Sequence, residues 1–194
     1  LGIITELILR IVPIAKPTKK ALFFYDDLKD SIDFMENLKK LEPVRIDFYD
    51  TRIFSTDASF VINATSFSHK YLVCVELEDS FFKNHRYIKK MCQLAHSGCQ
   101  TIVDQADALS QFEKLAKLLE SYRNDSDFPE RVCLVDRSYI PASELVSVIE
   151  SLTTLERLFD QPLPLFGSFA TSHYSLRPAF DLSSVNERKQ LLRF

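Results

Sequence analysis

Residues 21–49, ALFFYDDLKDSIDFMENLKKLEPVRIDFY, decide the fold that this sequence predicts. The stretch opens with the apolar run 21–25, which is typical of a strand buried on both faces. Two aspartates follow as candidate helix caps, and apolar side chains at helical spacing continue as far as Leu41. Pro43 ends that helix, and residues 44–49 alternate apolar and polar side chains, which indicates an edge strand. The stretch therefore predicts a strand–helix–strand unit.

The alternation of strands and helices continues along the chain. Further strands are predicted at 59–64, 71–77, 100–103 and 131–135, and further helices at 80–96, 109–122 and 141–159. The connection between strands 59–64 and 71–77 is too short for a crossover helix, so either they form an antiparallel hairpin or one assignment is wrong. The pattern predicts a three-layer α/β/α sandwich with a mainly parallel, flavodoxin-like sheet of five to six strands.

An additional amphipathic helix is predicted at the start of the chain. Ile4, Leu7, Ile8 and Ile11 belong to one apolar stripe of residues 1–12, which predicts contact with a partner protein or a second copy of the chain. The alternative is that this stripe packs on the chain's own sheet. We therefore divide the chain into an amphipathic helix with its connector, a sandwich domain and an irregular carboxy-terminal extension, at residues 1–20, 21–160 and 161–194.

The carboxy-terminal extension is rich in aromatic residues. Phe166, Phe169 and Tyr174 are candidate anchors for a partner, because large aromatic side chains dominate many interfaces. The alternative is that they cover the chain's own core. Because residue 1 is leucine, we also expect the chain to be a piece or a processed product of a longer protein.

The composition excludes several classes of function. The chain has 194 residues, of which 46% are hydrophobic and 26% charged, as in an average soluble domain. The net charge is −3, which argues against nucleic-acid binding, and no apolar run reaches the roughly 18 residues of a membrane span. There are only three glycines, whereas average usage of about 7% would give about 14. No glycine-rich phosphate loop follows the first strand, so we expect no nucleotide cofactor.

Acidic residues supply the candidate metal site. Asp26 and Asp27 follow the first predicted strand, at the sheet edge where ligands of open α/β folds bind. They could hold Mg²⁺, and the alternative is that they cap the following helix. Other acids follow predicted strands and could join them in an acidic rim; these are Glu76, Glu78, Asp79, Asp104, Asp107 and Asp136.

The four cysteines indicate a reducing compartment. Cys74 and Cys133 lie in apolar, strand-like runs where buried free thiols are common, and Cys92 and Cys99 lack the spacing of a redox or zinc motif. We therefore expect a cytoplasmic protein.

The segment 98–119, GCQTIVDQADALSQFEKLAKLL, resembles the last strand and helix of response-regulator receiver domains. Asp26 and Asp27 are similar to the acidic pair of that family, and Asn63 stands near the position of its phospho-accepting aspartate. Asparagine does not accept a phosphoryl group, and Gln105 stands near the position where the family carries a lysine. The resemblance thus implies a degenerate receiver-like domain without phosphorylation.

From the sequence we expect a non-catalytic protein-interaction or regulatory module that acts as a scaffold within a larger protein or complex. The absence of a catalytic constellation favours a non-enzyme that binds a protein partner or its own copies, without nucleic acid or membrane insertion. The alternative is a cation-dependent enzyme, or a degenerate receiver-like signalling domain, that works at the acidic rim.

Overall fold

The computed structural model describes the part of the chain that carries one β-sheet and its helices. The described residues are 18–54, 69–78, 84–95, 99–103, 109–110, 112–114, 117, 135–160, 162–176 and 184–192. The strands are β1 (Thr18–Tyr25), β2 (Arg45–Asp50), β3 (Tyr71–Glu78), β4 (Gln100–Val103), β5 (Val135–Tyr139), β6 (Leu165–Ser168) and β7 (His173–Leu176). The helices are α1 (Leu28–Lys39), α2 (Asn84–Leu94), α3 (Leu145–Phe159) and α4 (Val185–Leu191), with 3₁₀ turns at Thr51–Phe54 and Ala142–Glu144. Several residues between 109 and 117 are also helical.

These seven strands form one sheet in the order β4-β1-β3-β2-β6-β7-β5, and every pairing between them is antiparallel. The predicted flavodoxin-like sandwich with a mainly parallel sheet is therefore wrong. The sequence does alternate strand, helix and strand, but β1 and β2 are not neighbours. Strand β3 lies between them and runs antiparallel to both, so Tyr71 stands opposite Tyr25 on one side and Asp50 on the other. This arrangement is a split β-α-β unit, in which a crossover helix joins strands that do not pair.

The second half of the sheet repeats this arrangement. Helix α3 joins β5 to β6, and β7 lies between those two strands. The two halves meet where β2 pairs with β6, with Phe48 opposite Gly167. Strands β6 and β7 both belong to the segment 161–194, which the sequence predicts to be irregular.

The main core lies between the sheet and helices α1, α2 and α3. Phe34 of α1 packs its ring 4.6 Å from that of Phe23 and 5.5 Å from that of Tyr25, measured between centroids. Four residues predicted for the core are fully or almost fully buried, namely Phe23, Phe24, Val73 and Val75. The predictions for helix 1–12, strand 59–64 and the core residues Val61 and Leu134 lie outside the described residues, as does the side chain of Ile102.

Helix α1 begins where the sequence predicts a cap. The Asp27 carboxylate accepts hydrogen bonds from the backbone N–H groups of Lys29 and Asp30, at 2.8 and 3.1 Å. These bonds satisfy donors that the first turn of a helix cannot pair internally. The apolar face of α1 then turns toward the sheet, and Phe34, Met35 and Leu38 are fully buried there.

Candidate functional site

The sheet face opposite α1, α2 and α3, which we call the cavity face, brings together a group of ionisable side chains. Its side chains form three rows across β1, β3 and β2. The rows are Lys20–Glu76–Arg45, Leu22–Cys74–Asp47 and Phe24–Leu72–Tyr49. Because side chains alternate between the two faces of a strand, each row projects from the same face as the next. The face therefore changes from charged at one end of the sheet to apolar and aromatic at the other.

A cavity of about 350 Å³ lies between the charged end of the cavity face and the helical residues near 109–117. Its lining combines three basic residues, three acidic residues, two aromatic rings and one thiol. The residues are Lys20, Arg45, Lys117, Asp47, Glu76, Glu113, Tyr49, Phe112 and Cys74. This volume falls in the range of small-molecule pockets, about 300–1,000 Å³, and a few charged groups beside an apolar wall are typical of such pockets.

The charged groups of the cavity pair with one another. The Lys20 ammonium lies 2.9 Å from a Glu113 carboxylate oxygen, and Arg45 Nε lies 2.5 Å from an oxygen of the nearly buried Asp47. The hydroxyl of Thr18 donates to the Glu76 carboxylate. Burial lowers the pKa of Lys20, but the hydrogen bond and charge of Glu113 outweigh it and leave that pKa raised. The hydrogen bond from Lys20, followed by its charge, lowers the pKa of Glu113. Both residues are therefore charged at neutral pH.

The thiol of Cys74 lines the cavity but is not a nucleophile in this state. Burial raises its pKa well above the usual range, and the nearby charge of Asp47 raises it further. Because the thiolate is the reactive form, a thiol held protonated in this way is inert.

Cys74 should make the protein less stable at alkaline pH. Its pKa is higher in the folded state than in the unfolded chain, where it is about 8.5. Its contribution is therefore fully present below about pH 8.5 and is lost as the pH rises above that value. We expect the free energy of unfolding to fall more steeply between about pH 8.5 and 10 in the wild type than in Cys74→Ala. Urea unfolding at several pH values measures both slopes, and equal slopes would contradict this assignment.

The two aspartates predicted to hold a metal take separate roles. Asp27 caps α1, whereas the exposed Asp26 has a carboxylate oxygen 3.1 Å from Nδ1 of His69. Among the residues that the structure describes, no group of three or more histidine, cysteine, aspartate or glutamate side chains is placed to hold a metal ion. A metal site at Asp26 and Asp27 stays a prediction.

Among the described residues, the predicted acidic rim is divided between the two edges of the sheet. It required that all strands end at the same edge of the sheet, which only parallel strands do. In the antiparallel sheet Glu78 stands opposite Thr18, at the other end of β1 from Asp26. The remaining acids of that prediction include Asp79, Asp104 and Asp107, which lie outside the described residues.

The three aromatic residues predicted as partner anchors lie on both faces of the sheet. Phe166 is half-buried on the cavity face, where its ring stacks on that of Tyr49 with centroids 6.4 Å apart. Phe169 and Tyr174 are buried within the chain, and the ammonium of Lys39 lies 4.5 Å from the ring centroid of Phe169. The placement of these two corresponds to the alternative interpretation, that they cover the chain's own core.

The other predicted interaction residues lie outside the described part of the chain. They are Ile4, Leu7, Ile8 and Ile11 of the predicted amino-terminal helix. Asn63 and Gln105, which carry part of the receiver resemblance, also lie outside it.

Sequence reasoning missed most of the residues that form the cavity, and of its lining it singled out only Glu76, for the acidic rim, and Cys74, as a buried thiol. Lys20 is counted with a polar connector, and Arg45 and Asp47 are taken only as the solvent side of an edge strand. A signal was present, because the charged residues Arg45 and Asp47 alternate with the apolar residues Ile46 and Phe48. What it lacked was the antiparallel register that places Lys20 and Arg45 on either side of Glu76.

Comparison with solved structures finds this fold within larger enzymes. The chain is similar to a 4-ethylphenol oxidase from Gulosibacter chungangensis, solved as an isoeugenol complex, with a TM-score of 0.62 and 9% identity over 95% of this chain. It is also similar to an alkyldihydroxyacetonephosphate synthase, with TM-scores of 0.57 and 0.56 in two structures, 9% and 10% identity, and 93% of this chain covered in both. It spans only 43% of the oxidase chain and 40% and 38% of the synthase chains. No protein-family model and no curated protein sequence matches the chain.

These likenesses correct the function predicted from sequence. The fold is that of part of a synthase and an oxidase, not of a receiver-like regulatory scaffold or a non-catalytic interaction module. The expectation of no cofactor other than Mg²⁺ is contradicted by these neighbours as well, because the similar solved structures are flavin-dependent enzymes. The receiver resemblance fails because the sheet is antiparallel throughout the described residues. None of the described helices combines the length and the apolar character needed to cross a bilayer.

Proposed function

We propose that this chain forms one domain of a larger flavin-dependent enzyme, the kind to which the matching solved structures belong. The observation that carries the proposal is the likeness to the 4-ethylphenol oxidase, which takes in 95% of this chain but only 43% of that one. Since this chain corresponds to less than half of the oxidase, a second domain of the larger enzyme would bind the cofactor. In this proposal the chain closes the substrate site from one side.

Two features of the described residues do not suit the phosphates of a flavin nucleotide. Such phosphates bind where glycines let backbone N–H groups approach closely, usually at the start of a helix. The start of α1 is occupied by the Asp27 carboxylate, which would repel a phosphate. Gly167, the one glycine within the described residues, stands so close to β7 that even a Cβ would meet its backbone. The flavin nucleotide would therefore be held by another part of the enzyme.

The cavity face supports a role on the substrate side. The opposite face is filled by the core beneath α1, α2 and α3. The cavity face instead presents charged groups beside aromatic rings, which is the composition of a small-molecule site.

The proposal also includes the partner and the compartment. The partner of this chain is the rest of the enzyme, in agreement with the protein partner expected from sequence. Cys74 and Cys92 are free thiols, which favours a reducing, cytoplasmic location.

Flavin content distinguishes this proposal from its alternatives. The complete protein that contains this chain should purify with the visible absorption spectrum of an oxidised flavin. Acid precipitation then shows whether that flavin is released or is covalently attached. Residues 1–194 alone should not quench FAD fluorescence. A complete protein without flavin, or tight FAD binding by the chain alone, would overturn the proposal.

A further inference from the structure

The cavity on the cavity face has charges of both signs arranged in alternation. Glu76 stands between Lys20 and Arg45 in one row across the sheet. Glu113 reaches Lys20 from the opposite wall, and Asp47 holds Arg45 from the next row. With Lys117, three basic and three acidic side chains line the same space, and their formal charges sum to zero.

This alternation selects against ligands that carry one charge. A simple anion that approaches Lys20 or Arg45 also meets the carboxylate of Glu76 between them, and a simple cation at Glu76 meets both bases. Like charges brought together in an interface oppose binding. A small molecule with separated positive and negative groups can instead place each of them against its opposite.

The ion pair between Lys20 and Glu113 can open to admit such a ligand, and Arg45 stays accessible beside it. The side chains of Lys20 and Glu113 are 29% and 46% exposed, and that of Arg45 is 50% exposed. Ion pairs between exposed groups are weak, because water solvates the separated charges well. The Asp47 side chain is only 7% exposed and remains with Arg45 as the fixed wall of the site.

The aromatic wall suits an ammonium group and a short apolar body. The rings of Tyr49 and Phe112 meet edge to face with centroids 5.4 Å apart, and both line the same cavity as the carboxylate of Glu113. Aromatic faces attract cations, so a carboxylate beside a ring is a favourable place for an ammonium.

We propose that this cavity binds a small zwitterion of the amino-acid class, with its carboxylate at Lys20 and Arg45 and its ammonium at Glu113 beside Phe112. The inference rests on the proposed function only for its biological role, as the substrate class of the enzyme. Binding is a property of the chain alone and requires no flavin. The inference can therefore fail while the flavin proposal holds, and the reverse is equally possible.

Three probes with the same branched side chain test the inference by titration calorimetry on residues 1–194 at neutral pH. Leucine carries both charges, 4-methylpentanoate lacks the ammonium, and 3-methylbutylamine lacks the carboxylate. Leucine should bind at least about tenfold more tightly than either analogue. Equal affinities for the three, or no binding of leucine at millimolar concentration, would overturn the inference.

Substitutions then assign the two ends of the ligand. Arg45→Gln and Lys20→Gln should each weaken leucine binding about tenfold and remove its advantage over 3-methylbutylamine. Glu113→Gln should remove its advantage over 4-methylpentanoate. Glu36→Gln and Lys39→Gln, which break an exposed pair of 3.1 Å on α1, are matched controls and should leave binding unchanged.

Melting temperatures show which of these variants are folded. Lys20→Gln and Glu113→Gln alter partly exposed groups, so they keep the test valid even where Arg45→Gln fails to fold because Asp47 loses its ion-pair partner. Folded cavity variants that bind leucine as the wild type does would overturn the inference.

Discussion

Replacing Gly167 with alanine is expected to destabilise the protein by about 3 kcal/mol or more. A Cβ on Gly167 would lie 2.2 Å from the carbonyl oxygen of His173 and 2.6 Å from the Cα of Tyr174. Both contacts are with the backbone of β7, so no side-chain rotation relieves them. Strands β6 and β7 would have to separate, and because Gly167 also stands opposite Phe48, the disturbance would reach β2.

Urea unfolding followed by circular dichroism measures this effect. Ser168→Ala is the matched control, since it changes the next residue of the same strand without adding an atom, and it should cost less than about 1 kcal/mol. If Gly167→Ala unfolds at the same urea concentration as the wild type, the close approach of β6 and β7 is wrong.

Local structure was predictable from this sequence wherever the local signals agreed. For helix α1 the sequence shows a cap at Asp27 and apolar spacing through Leu38. In the structure Asp27 caps the helix, and the apolar face is buried as far as Leu38. The run 71–77 has enough apolar residues for a fully buried strand and forms β3, which is one residue longer than predicted. Such features depend on side chains close in sequence, which a single chain displays directly.

The pairing of strands was not predictable in the same way. A strand–helix–strand pattern looks the same in sequence whether the two strands are neighbours in the sheet or are separated by a third strand. The order of elements along the chain does not show that a later strand, here β3, lies between β1 and β2. The short interval between the strands predicted at 59–64 and 71–77 was the one sign of antiparallel neighbours. It was not decisive, because residues 45–50 and 71–78, the actual antiparallel neighbours, are further apart in sequence.

The candidate site depended on that same missing information. Lys20, Arg45 and Glu76 are separated by at least 25 residues of sequence and come together only through the register of β1, β3 and β2. Glu113 adds a contact 93 residues from Lys20. Asp26 and Asp27 are easy to recognise as a pair because they are adjacent in sequence. In the structure they nevertheless have separate roles, since Asp27 caps α1 and Asp26 lies beside His69.

Replacing Arg52 with methionine is expected to cost about 3–5 kcal/mol, because it leaves a buried carboxylate without its ion-pair partner. The Asp50 side chain is only 6% exposed and accepts hydrogen bonds from Nε of Arg52 at 3.0 and 3.1 Å. Arg52 Nη1 also donates to Glu156 of α3 at 2.8 Å, and the other oxygen of Glu156 accepts the backbone N–H of Leu163 at 2.7 Å. One guanidinium thus joins the end of β2 to α3 and to the loop before β6.

The pKa of Arg52 is raised, first by its hydrogen bond to Asp50 and then, against the opposing effect of burial, by its hydrogen bond to Glu156. The guanidinium therefore stays charged at every pH at which the protein folds, and only substitution removes it. Chemical denaturation of Arg52→Met, Asp50→Asn and the double variant forms a thermodynamic cycle. If the stranded charge of Asp50 causes the loss, adding Asp50→Asn to Arg52→Met should restore part of the stability. Glu36→Gln, which removes an exposed partner of Lys39, should cost less than about 1 kcal/mol. A double variant no more stable than Arg52→Met would place the loss in the contact with Glu156 and so in the junction between the two halves of the sheet.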